Sequence, residues 1–300
     1  MTKFSTWISA MRLRTLPLSV SGIIVAGCLA AYNGFFNPLI FILAILTTLS
    51  LQILSNLAND YGDGTKGTDN DDRIGPMRAI QSGEISASEM LNAIKLNILI
   101  TIVLAVLLIF SAFGSKNFLL SLLFFVLGLA SVVAAIKYTV GHSAYGYRGL
   151  GDIFVFLFFG LVSVIGCYVL FAKQVDHVTI LPACAIGLLS AGVLNLNNMR
   201  DIASDTKSNK NTLVVKLGAA KAKLYHYVLV GGAMFLTALF AVLYYTSPFN
   251  LLFLIIFVPL TKHLVTVYKN DNPKDLDPEL KKLALSTFFL SVLLGIGYIL

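Results

Sequence analysis

Charge is what this chain has least of. Asp, Glu, Lys and Arg make up 12% of its 300 residues, about half of the ~25% that soluble domains carry. With 57% hydrophobic residues and a mean hydropathy of +0.83, the chain has too little polar surface for a water-soluble fold. Cysteine is scarce too. Cys28, Cys167 and Cys184 each sit in an apolar run and no C-x-x-C occurs, which excludes a disulfide framework and reads as small buried side chains. The four histidines, His142, His177, His226 and His263, lack ligand spacing, so no zinc site is expected. Gly62, Gly64 and Gly67 are not followed by G-K-[ST], which excludes a P-loop; they read as loosening a loop. The acid-rich stretch from Asp63 to Asp72 lacks the order of a calcium loop and its closing Glu. No short apolar segment with an A-x-A site occurs near the start. Arg12 and Arg14 lead into an apolar run that continues from Leu16 to Tyr32, so the first helix is expected to be retained.

What the chain has instead is long apolar stretches. A membrane-spanning helix needs about 20 mostly apolar residues, and nine segments qualify: 16–33, 36–57, 91–112, 117–136, 152–172, 178–197, 225–246, 249–268 and 284–300. The expected fold is an all-α, polytopic membrane helix bundle of about nine transmembrane helices, in a single domain over 1–300. The turns alternate in character. Those near Asn33–Asn37, Gly114–Asn117, Lys173–His177 and Thr246–Phe249 are short, whereas 58–90, 137–151, 198–224 and 269–283 are longer and polar. Assigned to this alternation, 20 of the 22 Lys and Arg fall on one side, and only Lys116 and Lys173 on the other. Basic residues stay on the cytoplasmic side. The N-terminus and the four polar loops are therefore expected in the cytoplasm, and a net charge of +7 needs no nucleic-acid partner. Of the 15 acidic residues only Asp176 falls outside, which puts the chemistry at the cytoplasmic face.

Two acidic clusters carry that chemistry. Asn56-x-x-Asn59-Asp60-x-x-Asp63 ends the second apolar segment, and Asn197-x-x-Arg200-Asp201-x-x-x-Asp205 ends the sixth. Residues three or four apart share a helix face. Opposed carboxylates at helix ends repel unless a cation joins them, and Mg²⁺ binds one or two carboxylates plus substrate phosphates. The pair of clusters predicts Mg²⁺ clamping a diphosphate, with Arg78, Arg148, Arg200, Lys207 and Lys210 available for the remaining phosphate oxygens. A cation-coupled transporter would keep ionisable groups near the midplane on broken helices, and the apolar segments here carry essentially none.

At these residues the sequence resembles the UbiA superfamily of intramembrane aromatic prenyltransferases, with its N-D-x-x-D-x-x-x-D and D-x-x-x-D motifs. Asn59-Asp60-Tyr61-Gly62-Asp63 fits the first, although Gly67 stands where the last Asp is expected and the acid comes at Asp69. Asp201-x-x-x-Asp205 fits the second. The stretches Asn59 to Asp69, Arg73 to Gly83, Tyr147 to Asp152 and Asn197 to Asp205 resemble the branch that prenylates 1,4-dihydroxy-2-naphthoate in menaquinone synthesis. A 4-hydroxybenzoate-type acceptor is the rival within the superfamily. The resemblance implies a bacterial inner-membrane enzyme with a polyprenyl diphosphate donor. Its metal ligands would come from Asp60, Asp63, Asp69, Asp201, Asp205, Asn56, Asn59 and Asn197, and its catalytic residues would be Asp60, Asp63, Asp201 and Asp205. It further implies an acceptor site, with Tyr138, Lys137 and Arg148 as candidates, Tyr138 reading equally as an interfacial anchor, a lid formed by 58–90 and 198–224, and an isoprenoid groove, for which Phe154, Phe156, Phe158 and Phe159 are candidates although Phe in a membrane helix more often faces lipid or packs.

Overall fold

The computed structural model describes residues 3–69 and 74–300. Arg73, a member of the first polar loop and of one branch-like stretch, lies outside the described residues, as does Asp72. Among the described residues, nine helices are long and apolar enough to cross a membrane. In chain order they are α1 (Lys3–Tyr32), α2 (Pro38–Thr65), α3 (Ala87–Phe113), α4 (Phe118–Lys137), α5 (Gly151–Ala172), α6 (His177–Arg200), α7 (Ala219–Leu243), α8 (Pro248–Lys269) and α9 (Pro273–Ile299).

Local chemistry explains the helix starts. Asn37 accepts hydrogen bonds from the backbone N–H of Leu39 and Ile40, with Pro38 at the first helical position. Ser86 and Glu89 close a reciprocal capping box at α3. Asn272 accepts from Lys274 N ahead of α9. Such polar caps let helices begin or end outside the apolar runs. Thus α2 continues past 57 to Thr65, and α9 begins at Pro273 rather than 284. Hydropathy sees only the part in contact with lipid, and the polar extensions beyond it carry the acidic residues.

Helix α1 is broken. Arg12 takes a left-handed conformation (φ 50°) between Lys3–Met11 and the continuation Leu16–Tyr32. The freed carbonyl of Met11 accepts a hydrogen bond from Asn56 Nδ2 at 2.9 Å, so the break is tied to α2. The stretch Phe156–Gly166 of α5 is wound as a π-helix, a form concentrated at functional sites. Beside it, a Cβ on Gly160 would lie 2.6 Å from Ala183 O, and one on Gly187 would lie 2.7 Å from the Phe156 ring. Helices α5 and α6 therefore pack backbone to backbone, as small residues permit in membranes.

The main core gathers α1, α2, α5, α6, α7 and α9 around Tyr168, Leu189, Phe240 and Leu290. Helices α3 and α4 turn large apolar side chains such as Leu99, Phe110, Leu119 and Val126 outward, as expected of lipid-facing surface. Gly62 and Gly64 are not in a loop: both are helical in α2, and a Cβ on Gly62 would lie 2.8 Å from the backbone of Thr139. Gly67 alone supplies a left-handed turn (φ 70°).

Candidate active site

The two acidic clusters come together at one end of the bundle. Asp63, in the last turns of α2, accepts a hydrogen bond from the Tyr147 hydroxyl (2.8 Å) and lies 3.5 Å from Lys210 Nζ. Asp205, in the short helix Ile202–Lys207 after α6, lies 3.6 Å from the same ammonium. One cation thus joins carboxylates 142 positions apart, one from each motif. Burial pushes the Asp205 carboxyl up to about 6, opposed by the neighbouring ammonium of Lys210. The two carboxylates in turn raise Lys210 despite its burial.

Asp60 is 1% exposed. Its Oδ2 accepts from Ala79 N at 3.2 Å, and it borders a smaller hollow with Ile8, Pro76 and Met77. Asp69 lies 3.9 Å from Arg78 Nε. Asp201 is gripped by Arg200, whose Nε and Nη2 approach its two oxygens at 2.8 and 2.6 Å. Arg200 also reaches Asp277 (2.5 Å) and Asn197 (3.1 Å) and is 1% exposed. It orients the second motif rather than facing a ligand.

Most of these groups, though not Asp60 or Arg200, rim a cavity of about 720 Å³, within the ~300–1,000 Å³ usual for small-molecule sites. Asp63, Asp69, Asp201, Asp205, Asn56, Asn59, Asn197, Arg78, Lys210 and Tyr138 line it. Asn56 is occupied in holding α1, and Asn59 accepts from Thr139 Oγ1 at 3.3 Å. Of the remaining residues singled out from the sequence, Lys137, Arg148 and Lys207 are exposed and stand off the wall, Arg148 meeting Lys216 through its carbonyl. The cavity's further cations are Arg12, Arg14, Lys281 and Lys282. Sequence spacing gave no sign of them, because they lie on helices distant in the chain from both motifs. In the sequence Tyr147 stands out only as the start of the stretch Tyr147 to Asp152; in the structure it donates to Asp63 and its ring lies 4.1 Å from Lys66 Nζ.

Below the rim the wall becomes apolar, through Ile23, Ala44, Leu108, Phe124, Val162 and Leu170. An aromatic ladder descends into it. Tyr138 meets Tyr145 edge-on at 5.3 Å, Tyr145 stacks on Phe154 at 4.0 Å, and Phe154 stacks towards Phe158 at 6.2 Å. Phe154, Phe158 and Phe159 line the cavity, while Phe156 packs on Gly187. Burial raises the Tyr138 phenol well above its ordinary value, so it stays protonated.

The donor set suits a hard divalent cation. Asp60 Oδ1 and Asp205 Oδ2 are buried without a hydrogen-bond partner among the described residues, a costly state that a metal or ligand relieves. Among the described residues no three acidic, His or Cys side chains converge as a metal cluster.

Comparison with known proteins agrees with this architecture. The chain is 41% identical over 300 residues to 1,4-dihydroxy-2-naphthoate octaprenyltransferase of Haemophilus influenzae, covering 99% of this chain and 97% of that one. It is 42% identical over 299 residues to the Escherichia coli protein of the same name, covering 100% and 96%. A UbiA homologue from Archaeoglobus fulgidus bound to GPP and Mg²⁺ superposes with a TM-score of 0.71 at 14% identity, covering 98% of each chain; at that identity the likeness speaks for the fold. The UbiA prenyltransferase family model matches residues 20–293, and this chain, with nine helices long and apolar enough to span a membrane among the described residues and paired carboxylate motifs at one cavity mouth, belongs to that family.

Proposed function

We propose that this chain, as one prenyltransferase domain over residues 1–300, transfers a polyprenyl group from polyprenyl diphosphate to 1,4-dihydroxy-2-naphthoate. Carbon dioxide and diphosphate leave, and demethylmenaquinol is formed. The observation that carries the reading is the pairing of Asp63 and Asp205 through one cation at the mouth of a cavity that turns apolar and aromatic below. The names of the two relatives above 40% identity over nearly the whole chain support the acceptor.

Asp60, Asp63, Asp201 and Asp205 would hold Mg²⁺, with Asp69 at the rim and Asn59 and Asn197 orienting the carboxylates. When bound, the metal supplies charge neutralisation for the departing diphosphate. Lys210 and Arg78 stand beside the carboxylates, placed to take phosphate oxygens. Arg200 holds Asp201 in place. The apolar wall excludes water from the allylic cation, and the faces of Phe154 and Phe158 offer it cation–π attraction. The ring of the acceptor then forms the new carbon–carbon bond as its carboxylate departs. Lys137, Arg148 and Lys207, which do not line the cavity, are left out of this site.

The charge asymmetry, with 20 of 22 basic residues on one side of the alternation, supports a bacterial inner-membrane protein whose N-terminus and cavity mouth face the cytoplasm. The test of the function is an assay of the detergent-purified protein with a polyprenyl diphosphate and Mg²⁺, offering dihydroxynaphthoate and 4-hydroxybenzoate in competition. Prenylation of the naphthoate with carbon dioxide release, abolished by EDTA and restored by Mg²⁺, is expected. Prenylation of the benzoate alone would overturn the acceptor.

A further inference from the structure

The cations that line the cavity differ in how far their charge is already used. Lys210 lies between Asp63 and Asp205, and Arg78 lies beside Asp69. Lys282 is tied back from the wall. Its ammonium is 2.5 Å from Glu279 Oε1, and Glu279 is 2% exposed. The other oxygen of Glu279 meets His263 Nδ1 at 2.6 Å, and His263 Nε2 meets His226 Nε2 at 2.9 Å. His226 Nδ1 completes the chain with Asn195 Nδ2 at 3.4 Å. One arrangement of protons satisfies every link with both rings neutral. Asn195 donates to His226, His226 donates to His263, and His263 donates to an ionised Glu279. This buried chain ties α6, α7, α8 and α9 together and spends the charge of Lys282 on Glu279.

Two of the cavity cations, Lys281 and Arg14, have no acidic side chain within 4 Å among the described residues. Lys281 lies on the same face of α9 as Asp277 and Ala284, at intervals of four and three residues, and all three line the cavity. Asp277 fixes the level of that face, since it bonds Arg200, which holds Asp201. Lys281 is therefore about 6 Å further along the helix axis from the second motif, towards the apolar part of the cavity. Arg14 lies in the turn Leu13–Thr15 of α1, which touches α9. Both side chains are exposed at this end of the bundle and both line the cavity, so their charges stay hydrated and open to an incoming anion.

We propose that Lys281 and Arg14 form the clamp for the carboxylate of the aromatic acceptor. The inference rests on the acceptor reading above. The diphosphate belongs between Asp63 and Asp205, and the carbon to be attacked lies on its apolar side. A ring placed to attack that carbon sits about one helical turn below the carboxylates, beside the aromatic ladder, and its own anionic group is the one at the level of Lys281. The clamp binds a group that must leave as neutral carbon dioxide, so it acts on the ground state. Its removal raises KM for the acceptor more than it lowers kcat.

The experiment is steady-state kinetics of Lys281→Met, Arg14→Met and Lys281→Arg in detergent with Mg²⁺, varying each substrate with the other saturating. A charged hydrogen bond lost to solvent corresponds to about a tenfold to hundredfold change. Both Met variants are expected to raise KM for dihydroxynaphthoate by that factor, with KM for the polyprenyl diphosphate unchanged, and Lys281→Arg is expected to recover most of it. Wild-type turnover of the naphthoate with an unchanged naphthoate KM in both Met variants overturns the clamp and leaves the acceptor reading standing. A rise in the diphosphate KM instead assigns these cations to the donor and likewise overturns it. Should Lys281→Met not survive purification, Arg14→Met on the separate helix decides the question. A wild type that does not prenylate the naphthoate at all overturns the acceptor reading itself.

Discussion

Asp205 shows how burial and chemistry pull one side chain in opposite directions. Burial raises its carboxyl to about 6 from an ordinary 3.8, and Lys210 only partly offsets this. A carboxylate whose folded value is raised favours the folded state in its protonated form. That contribution is present below about pH 3.8 and is lost as pH rises through 6. Metal binding runs the other way, because a ligand must be deprotonated. The Mg²⁺ concentration needed for half-maximal binding should therefore climb as pH falls below 6, approaching about tenfold per pH unit for one competing proton. Asp205→Asn should flatten that dependence. Isothermal titration of Mg²⁺ at pH 7, 6 and 5 checks it; equal affinities in wild type across this range would speak against Asp205 as a ligand. At the same scale, Asp201 and Arg200 show that a basic residue within a motif need not face the substrate. Arg200 is buried among Asp201, Asn197 and Asp277, and removing one partner of such a buried pair costs ~3–5 kcal/mol.

Helix ends, not helix middles, make the site. Helix α2 extends beyond its lipid-spanning part, and Asp60 and Asp63 ride on that extension. The extension packs tightly against the segment after α4. Thr139 Oγ1 donates to Ala58 O at 3.0 Å, and Lys66 Nζ to Thr139 O at 2.6 Å. Gly62 stands at this crossing, where an added Cβ would lie 2.5 Å from Thr139 Oγ1 and 2.8 Å from its carbonyl carbon. Backbone cannot yield as a side-chain tip can. Gly62→Ala should thus destabilise the protein by ~1–3 kcal/mol, as overpacking does, and displace Asp63 from Tyr147. A thermal melt in detergent reads the first effect and loss of turnover the second. An unshifted melting temperature would mean that the segments are not in contact. The apolar pattern of α2 was legible in the sequence. The tight crossing was not, because nothing near Gly62 in the chain announces Thr139.

At the scale of the whole molecule, sidedness and cavity follow from different physics. The proposed sidedness rests on the retention of basic residues on one side. Cysteine placed at Lys116 should react with an impermeant maleimide applied to intact cells, whereas one at Lys207 should react only after permeabilisation. Reversed labelling would invert the proposed orientation. Both positions are exposed, so each substitution should cost within about ±0.5 kcal/mol. The number of spans, their approximate places, the one-sided charge and the pairing of two acidic motifs were fixed locally. Runs of apolar residues must lie in lipid and charged residues must not, whatever the helices touch. Tertiary structure alone decided which cations meet the cavity. Arg14 and Lys281, 267 positions apart, line one wall, while Arg148 and Lys207, nearer the motifs in sequence, turn outward. It also joined His226, His263 and Glu279 across three helices. The rotation of each helix about its own axis is set by its packing partners, so the direction of a side chain at a helix end becomes defined only when the neighbouring helices are in place.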